Sequence, residues 1–385
     1  MLNWIIDVSL RNRAVVLVLV AAVIVAGMFL ARSLLVNNDP IILSVLYSTE
    51  KDAWLTDISS GFAGSVNGRP IQLEFEKMGS REIYLSVLDD SRQPDLISPA
   101  SSLQISILHD QTEAEAGTPV VNMIGAEDCR SVVSTPLVLV AWQERAEALG
   151  WLDNPDADMW EQLQSAVVNP QGWAAYNHPE WGFFKFGQTD PNKSNSGLMA
   201  LLLITYDYFD KVTGLSTADI IADEYAQWFK EFGKFTTVGD STGTSMQEIV
   251  AFGPSKYDMV AVYESTAIEQ IENAAGRYGE LRVYYPPATV LSDHPFCVLH
   301  ADWVTSDKAD AARQFIDYLL SQPVQEKALA LGFRPANPNI ALDTPDSPFN
   351  RYAANGLKTD LPAEVELPSG EVLNTLINFW NRNHR

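Results

Sequence analysis

The stretch "AARQFIDYLLSQPVQEKALALGFRPAN", Ala311 to Asn337, decides the fold of this chain. Its first half, carrying Phe315, Leu319 and Leu320, is an amphipathic helix, because apolar residues three and four apart share one face. Gln322-Pro323 breaks that helix, since proline brings no N–H and its ring crowds the preceding turn. A second helix and the turn Gly332-Phe333-Arg334-Pro335 follow. The pair closes an alternation of strands and helices that begins near Ile41.

Working outward, "IILSVLYSTEKDAWL" is an apolar run of strand length ending at Ser48-Thr49-Glu50-Lys51, with a helix from about Asp52. "RPIQLEFEKMG" alternates as a strand, "SREIYLSVLDD" is a helix, and "PDLISPASS" is a short strand broken by Pro99. Strand, helix, strand, helix predicts a doubly wound α/β unit, whose ligands bind beyond the carboxyl ends of the strands. Ser48-Thr49 and Ser98 with Ser101-Ser102 fall at those ends, where they could equally cap the next helices. A strand from Leu137 to Trp142, a Trp- and Pro-rich middle and a second α/β pattern with the strand "YDMVAVYES" come next.

Within that second pattern, "TDPNKSNSGLMALLLITYDYF" sets Ser194-Asn195-Ser196-Gly197 directly against a strongly apolar helix, Thr189 to Phe209. Ser and Asn are ordinary N-caps, because their oxygens accept from the free N–H groups of the first turn. The alternative is that those N–H groups are left for a ligand. "GDSTGTS" is a loop with Asp240, Ser241 and Thr242, and Tyr263-Glu264 ends the strand "YDMVAVYES".

A length of 385 residues exceeds what one core usually holds, so two lobes are expected. The net charge of −23, from 49 acidic against 26 basic residues, argues against nucleic acid as a partner through bulk electrostatics. Ala14 to Ala31, "AVVLVLVAAVIVAGMFLA", carries no charge over roughly 18 residues, the lower end of a membrane span. With Arg11 and Arg13 ahead of it, the expectation is a cytoplasmic segment over 1–13 and an uncleaved signal anchor over 14–35. A cleaved signal peptide would have a shorter apolar region followed by a small-x-small site. The bulk of the chain is then expected on the extracytoplasmic side of the membrane.

"GDSTG", Gly239 to Gly243, also fits the G-x-S-x-G nucleophile elbow with Ser241 exposed. The preceding "KFTTV" is too short and polar for the buried strand such an elbow needs, so a serine hydrolase is a remote alternative. The histidines His109, His178, His294, His300 and His384 show no i, i+4 pair and no register with the cysteines, and no phosphate loop occurs. No catalytic residue, metal or cofactor is expected.

The order Phe315, Leu319-Leu320-Ser321, Gln325 and Gly332-Phe333-Arg334-Pro335 resembles the late helical signature of bacterial extracellular solute-binding proteins of the two-lobed, periplasmic type II class. "TDPNKSNSGLMALLL", "VGDSTGTS", "VYYPPATVLSDHPFCVL" and "SPASS" resemble the branch grouped with sulfate- and molybdate-type binding proteins. The resemblance spans nearly everything from about Ile41 and does not reach the anchor. It implies an α/β, two-lobed periplasmic-binding-protein type II fold with a hinge of crossing strands, here preceded by one transmembrane helix. Lobe one would comprise 41–135 and 297–385, and lobe two 136–296. Cys129 and Cys297 would lie close to the crossings, where a disulfide could brace the hinge.

By the same resemblance a small molecule or ion would sit in the interlobe cleft. Ser48, Thr49, Ser101 and Ser102 would face it from lobe one. Ser194, Asn195, Ser196, Gly197, Asp240, Ser241, Thr242, Tyr263 and Glu264 would face it from lobe two. Glu264 and Asp240 depart from a purely anion-binding cleft, because a carboxylate disfavours an anion unless it is protonated or paired with a cation such as Lys51 or Arg81. The expected partners are a membrane permease of the ABC type and the lipid bilayer, contacted through 14–35. The alternative is a tethered accessory, sensor or assembly subunit of some other membrane complex.

Overall fold

The computed structural model describes residues 17–18, 20–25, 27, 39–151, 158–234 and 236–383. Its first elements are β1 (Ile41–Ser48), α1 (Asp52–Ser59), β2 (Ser65–Val66), β3 (Arg69–Met78), α2 (Ser80–Leu88), β4 (Leu96–Ser98) and α3 (Ser102–Ala116). Strands β5 (Cys129–Ser131) and β6 (Val133–Trp142) run on almost continuously into α4 (Gln143–Ala148), and α5 (Met159–Val168) follows. Then come β7 (Phe186–Thr189), α6 (Asn195–Tyr208), α7 (Thr217–Ile220), α8 (Asp223–Lys234), β8 (Thr236–Gly239), α9 (Thr242–Phe252), β9 (Met259–Tyr263), α10 (Glu264–Ala274) and β10 (Leu281–Tyr284). The chain returns through β11 (Ala288–Thr289), β12 (Leu291–Ser292), β13 (Pro295–Val298), α11 (Ser306–Leu319), α12 (Gln322–Ala330) and β14 (Arg334–Pro335). Helix α13 (Pro348–Arg351), β15 (Ala363–Glu364) and α14 (Gly370–Asn383) complete it.

Two sheets result. The first runs β2-β3-β1-β4-β13-β5, and the second β10-β6-β9-β7-β8 with β12 and β14 also pairing to β6. β1 lies parallel to β3 in register from Ile41 opposite Ile71 to Ser48 opposite Met78. The sequence of each strand reflects its place: β1 is covered on both faces and reads almost continuously apolar, whereas β3 is more exposed and alternates. Helices α11 and α12 and the turn after them seat Phe315, Leu319, Val324 and Phe333 on the first sheet beside Leu43, Val45 and Trp54. Gln325 fastens α12 to the crossing strand, its Nε2 donating 2.8 Å to the Val132 carbonyl.

Two antiparallel segments join the sheets, and the chain passes to the second sheet's side once more through β14, which pairs with β6. Residues 129–142 leave the first sheet as β5 and enter the second as β6, and 291–298 make the reverse passage as β12 and β13. Cys129 and Cys297 face each other in this pairing and form a disulfide, with Cα atoms 3.9 Å apart and both residues buried.

Parts of the tail, which was expected in lobe one of 297–385, pack against the second sheet's side. Phe349 and Leu357 pack with Val138, Val260 and Val262 of the second sheet, and Phe379 and Trp380 of α14 stack against Tyr225 and Phe229 of α8. The apolar face of α14 thus covers aromatic surface on the second sheet's side, while its start at Gly370 lies beside Ile107 of α3. Among the described residues no helix is long and apolar enough to cross a membrane. Segment 1–13 and most of the expected span 14–35 lie outside the described residues, as does His384.

Candidate functional site

The carboxyl ends of β1 and β3 meet the ends of β7 and β8 across a cavity of about 340 Å³. Thr49, Glu50, Gly79, Ser80 and Glu82 form its wall on the first sheet's side, and Lys193, Ser194, Asn195, Asp240 and Ser241 the wall opposite. Larger hollows of about 540 and 440 Å³ exist elsewhere. The first is built around α5 and α6, the second between α12 and the segment after β14, so neither lies between the two sheets. Position at facing strand ends, rather than size, makes the smaller cavity the candidate site.

The sequence-derived residues divide into two groups. Thr49, Ser194, Asn195, Asp240 and Ser241 line the cavity. Ser241 also caps α9, accepting from the Thr244 N–H at 3.2 Å, and the Asp240 carboxylate lies 3.3 Å from Lys193 Nζ. The others are absorbed by the protein's own bonding. Ser48 is buried, its Oγ accepting from Lys51 Nζ at 2.5 Å. Ser101 caps α3 through the Leu103 N–H, and the Ser102 N–H donates to Asp293 at 2.7 Å. Ser196 Oγ joins Thr189 Oγ1 at 2.8 Å and Thr242 Oγ1 at 2.6 Å, tying β7, α6 and α9 together. A Cβ at Gly197 would lie 2.2 Å from the Thr189 carbonyl, so this glycine serves the approach of α6 to β7. Tyr263 is buried with its hydroxyl accepting from Asn195 Nδ2 at 2.9 Å.

Glu264 turns away from the cavity. It is buried in a bidentate pair with Arg334, Nε to Oε1 at 2.8 Å and Nη2 to Oε2 at 2.7 Å, and also accepts from the Tyr285 hydroxyl. Burial raises its carboxyl above the ordinary range, against the pull of Arg334 and Tyr285.

Sequence reasoning passed over Glu50, Gly79, Ser80, Glu82 and Lys193. The signal was present for Glu50, which occupies the same strand end as Ser48-Thr49. Its Oε2 is buried with no hydrogen-bond partner among the described residues. Glu82 is already engaged, its Oε2 accepting from the Gly79 N–H at 2.9 Å at the start of α2.

Behind the cavity, the connector between β12 and β13 is held from both sides. Asn195 Nδ2 donates to Ser292 Oγ at 3.3 Å. Asp293 accepts from the Ser102 N–H and from Ser131 Oγ at 2.5 Å. The His294 N–H donates to the Ala100 carbonyl at 3.0 Å. His294 sits at φ +39°, an uncommon conformation for a residue with a Cβ. Lys51 is fully buried beside it, with Nζ 3.3 Å from the Pro99 carbonyl and 3.1 Å from His294 Nδ1 in addition to its bond to Ser48. Burial lowers Lys51 to about 7, opposed by the charges of Glu50 and Asp293. Burial, and then Lys51, push His294 well below its ordinary value.

Gln104 Nε2 donates to Asn195 Oδ1 at 3.1 Å, joining α3 to α6. These groups hold and orient; none is arranged as a nucleophile with a base. Ser241 bonds to Thr244, while His294 bonds to Lys51 and His300 to Asp128 and Asn122, which leaves the elbow without its partners.

Comparison with known proteins bears on the fold and the family. Two uncharacterized proteins of Mycobacterium tuberculosis, from strains CDC 1551 / Oshkosh and ATCC 25618 / H37Rv, are each 21% identical over 315 residues. The match covers 77% of this chain and 42% of each relative, so the chain spans under half the length of these relatives. Among solved structures, iron-bound HitA from Pseudomonas aeruginosa is similar with a TM-score of 0.58 at 15% identity, covering 89% of this chain and 99% of that one. The sulfate-binding protein SubI from Mycobacterium tuberculosis H37Rv is similar with a TM-score of 0.51 at 16% identity, covering 84% and 93%. At these identities the likeness establishes the α/β fold of two-lobed binding proteins. The family model that matches describes solute-binding proteins and not enzymes, which speaks against the hydrolase alternative at Ser241. Since residues 43–334 match the model of the bacterial extracellular solute-binding protein, the chain belongs to that family.

Proposed function

We propose that the chain captures a small solute between its lobes and presents it to an ABC-type permease, while residues 14–35 tether it to the outer face of the cytoplasmic membrane. The observation that carries the capture site is the cavity of about 340 Å³, whose walls come from facing strand ends of both sheets. The two-segment passage between the sheets supports hinge closure around the solute. The anchor rests on the uncharged run Ala14 to Ala31. That run also supports a second role, a tethered accessory or sensor subunit of a membrane complex.

A ligand that binds only the folded state raises the melting temperature by mass action. A thermal-shift screen of the full chain in detergent, against amines, amino acids, sugars and oxyanions, is expected to give a selective shift. Ser194→Leu fills the cavity wall and should abolish that shift while leaving the circular dichroism spectrum unchanged. A shift that survives Ser194→Leu would move the capture site elsewhere. A flat screen, together with a membrane complex that co-purifies without solute, would favour the accessory subunit.

A further inference from the structure

Once the protein's internal pairings are counted, the cavity walls retain one unsatisfied acceptor with a full negative charge. The Glu82 carboxylate closes the first turn of α2 through the Gly79 N–H, and Asp240 is paired with Lys193. Lys51, the cation next to Glu50 in sequence, is turned inward to Ser48, Pro99 and His294. Glu50 Oε2 remains buried and unpartnered among the described residues.

A second observation lies beside it. Glu50 also lines a void of about 20 Å³ with Ser265, Thr266, Glu269, Trp54 and Phe333. Ser265 is 4% exposed, and its Oγ has no hydrogen-bond partner among the described residues. The void is of the size of one water molecule or one ammonium group. A buried carboxylate oxygen is costly unless a donor reaches it, and here Oε2 of the half-buried Glu50 and the Ser265 hydroxyl adjoin one donor-sized space.

Resting on the interlobe cavity as the capture site, we infer that this protein selects an organic cation, a solute whose ammonium or guanidinium N–H groups are received by Glu50 and Ser265. The acidic groups of the walls, Glu50, Glu82 and Asp240 against Lys193, exceed the basic ones and favour positive charge in the cavity. The donor surface is the first turn of α6, for which Ser194 makes no side-chain cap. A carboxylate carried by the same solute could sit there. A solute that is only an anion would leave Glu50 unpaired and add a like charge to its cavity.

The test measures thermal shifts and calorimetric affinities of the full chain in detergent with putrescine, agmatine and L-arginine, with myo-inositol and sulfate as neutral and anionic probes. At least one cation should stabilise the native protein. Glu50→Gln should weaken that binding by roughly tenfold or more, the loss of one charge-assisted contact, and Ser265→Ala by a smaller factor. Glu50→Gln removes a charge whose Oε2 has no hydrogen-bond donor among the described residues and leaves only the longer-range attraction to Lys51 to be lost, so without ligand it should melt close to the native protein. A cation whose affinity is unchanged by Glu50→Gln overturns the proposal. A sulfate or inositol shift that Ser194→Leu abolishes overturns the cation class while the cavity stands as the capture site. If no probe shifts the native protein, the cation class falls and the capture site loses its support with it.

Discussion

At the scale of a residue, Glu264 and Arg334 separate what a position suggests from what its surroundings allow. Glu264 follows Tyr263 at a strand end, the place where a binding protein presents ligand contacts, yet its carboxylate is taken by Arg334 and Tyr285. Arg334 belongs to the Gly-Phe-Arg-Pro turn, and it also donates at 2.6 Å to the carbonyls of Thr359 and Lys358. The pair therefore fastens β14 to α10 and to the tail. Removing one partner of a buried ion pair leaves the other charge uncompensated, a loss of about 3–5 kcal/mol. Arg334→Ala and Glu264→Ala should each lose stability of that order in urea unfolding, and the double variant should lose less than the sum. Full additivity would show that the two residues act independently.

At the scale of elements, most strands follow from their apolar pattern, because β1, β6 and β9 are covered on both faces and carry the runs that burial requires. The cavity wall was legible where small polar residues ended a strand or opened a helix, at Thr49, Ser194 and Ser241. The rest depended on partners distant in sequence. Nothing local to Ser196 announces Thr242, 46 residues on, and nothing in α14 announces the aromatic face of α8. Lys51 and His294 are 243 residues apart, and their contact at the connector sets a pH dependence. Lys51 falls to about 7 in the fold from an ordinary 10.5, so between those values the unfolded chain binds the extra proton and stability rises with pH. His294, lowered by burial, adds a further loss of stability as the pH falls through its ordinary range near 6.5. Lys51→Met keeps the length of the side chain without the charge. From pH 7 to pH 9 the native protein should gain about 2–3 kcal/mol more than Lys51→Met in urea unfolding. Equal gains would mean that Lys51 stays charged in the fold.

At the scale of the whole molecule, the two walls of the cavity come close together at Gly79. Its backbone φ of −64° suits any residue, so the absence of a side chain is a matter of space. A Cβ there would lie 2.7 Å from the backbone carbonyl of Lys193 in the opposite wall and 2.9 Å from Glu82 Oε2. The Glu82 side chain can swing aside, whereas the Lys193 carbonyl is fixed at the entry to α6 and can yield only if the walls move apart. Gly79→Ala should therefore act on closure more than on folding. In X-ray scattering the variant should show a larger radius of gyration than the native protein under the same ligand saturation. Its affinity for whichever solute the native protein captures should fall by about tenfold, because a closed state made rarer by that factor binds more weakly by the same factor. An unchanged radius of gyration with unchanged affinity would mean that the contact at Gly79 does not bear on closure. A large fall in melting temperature would instead place the strain within the first lobe, between the added methyl and the Glu82 carboxylate, and comparison with Gly79→Ala in a Glu82→Gln background would separate these two sources.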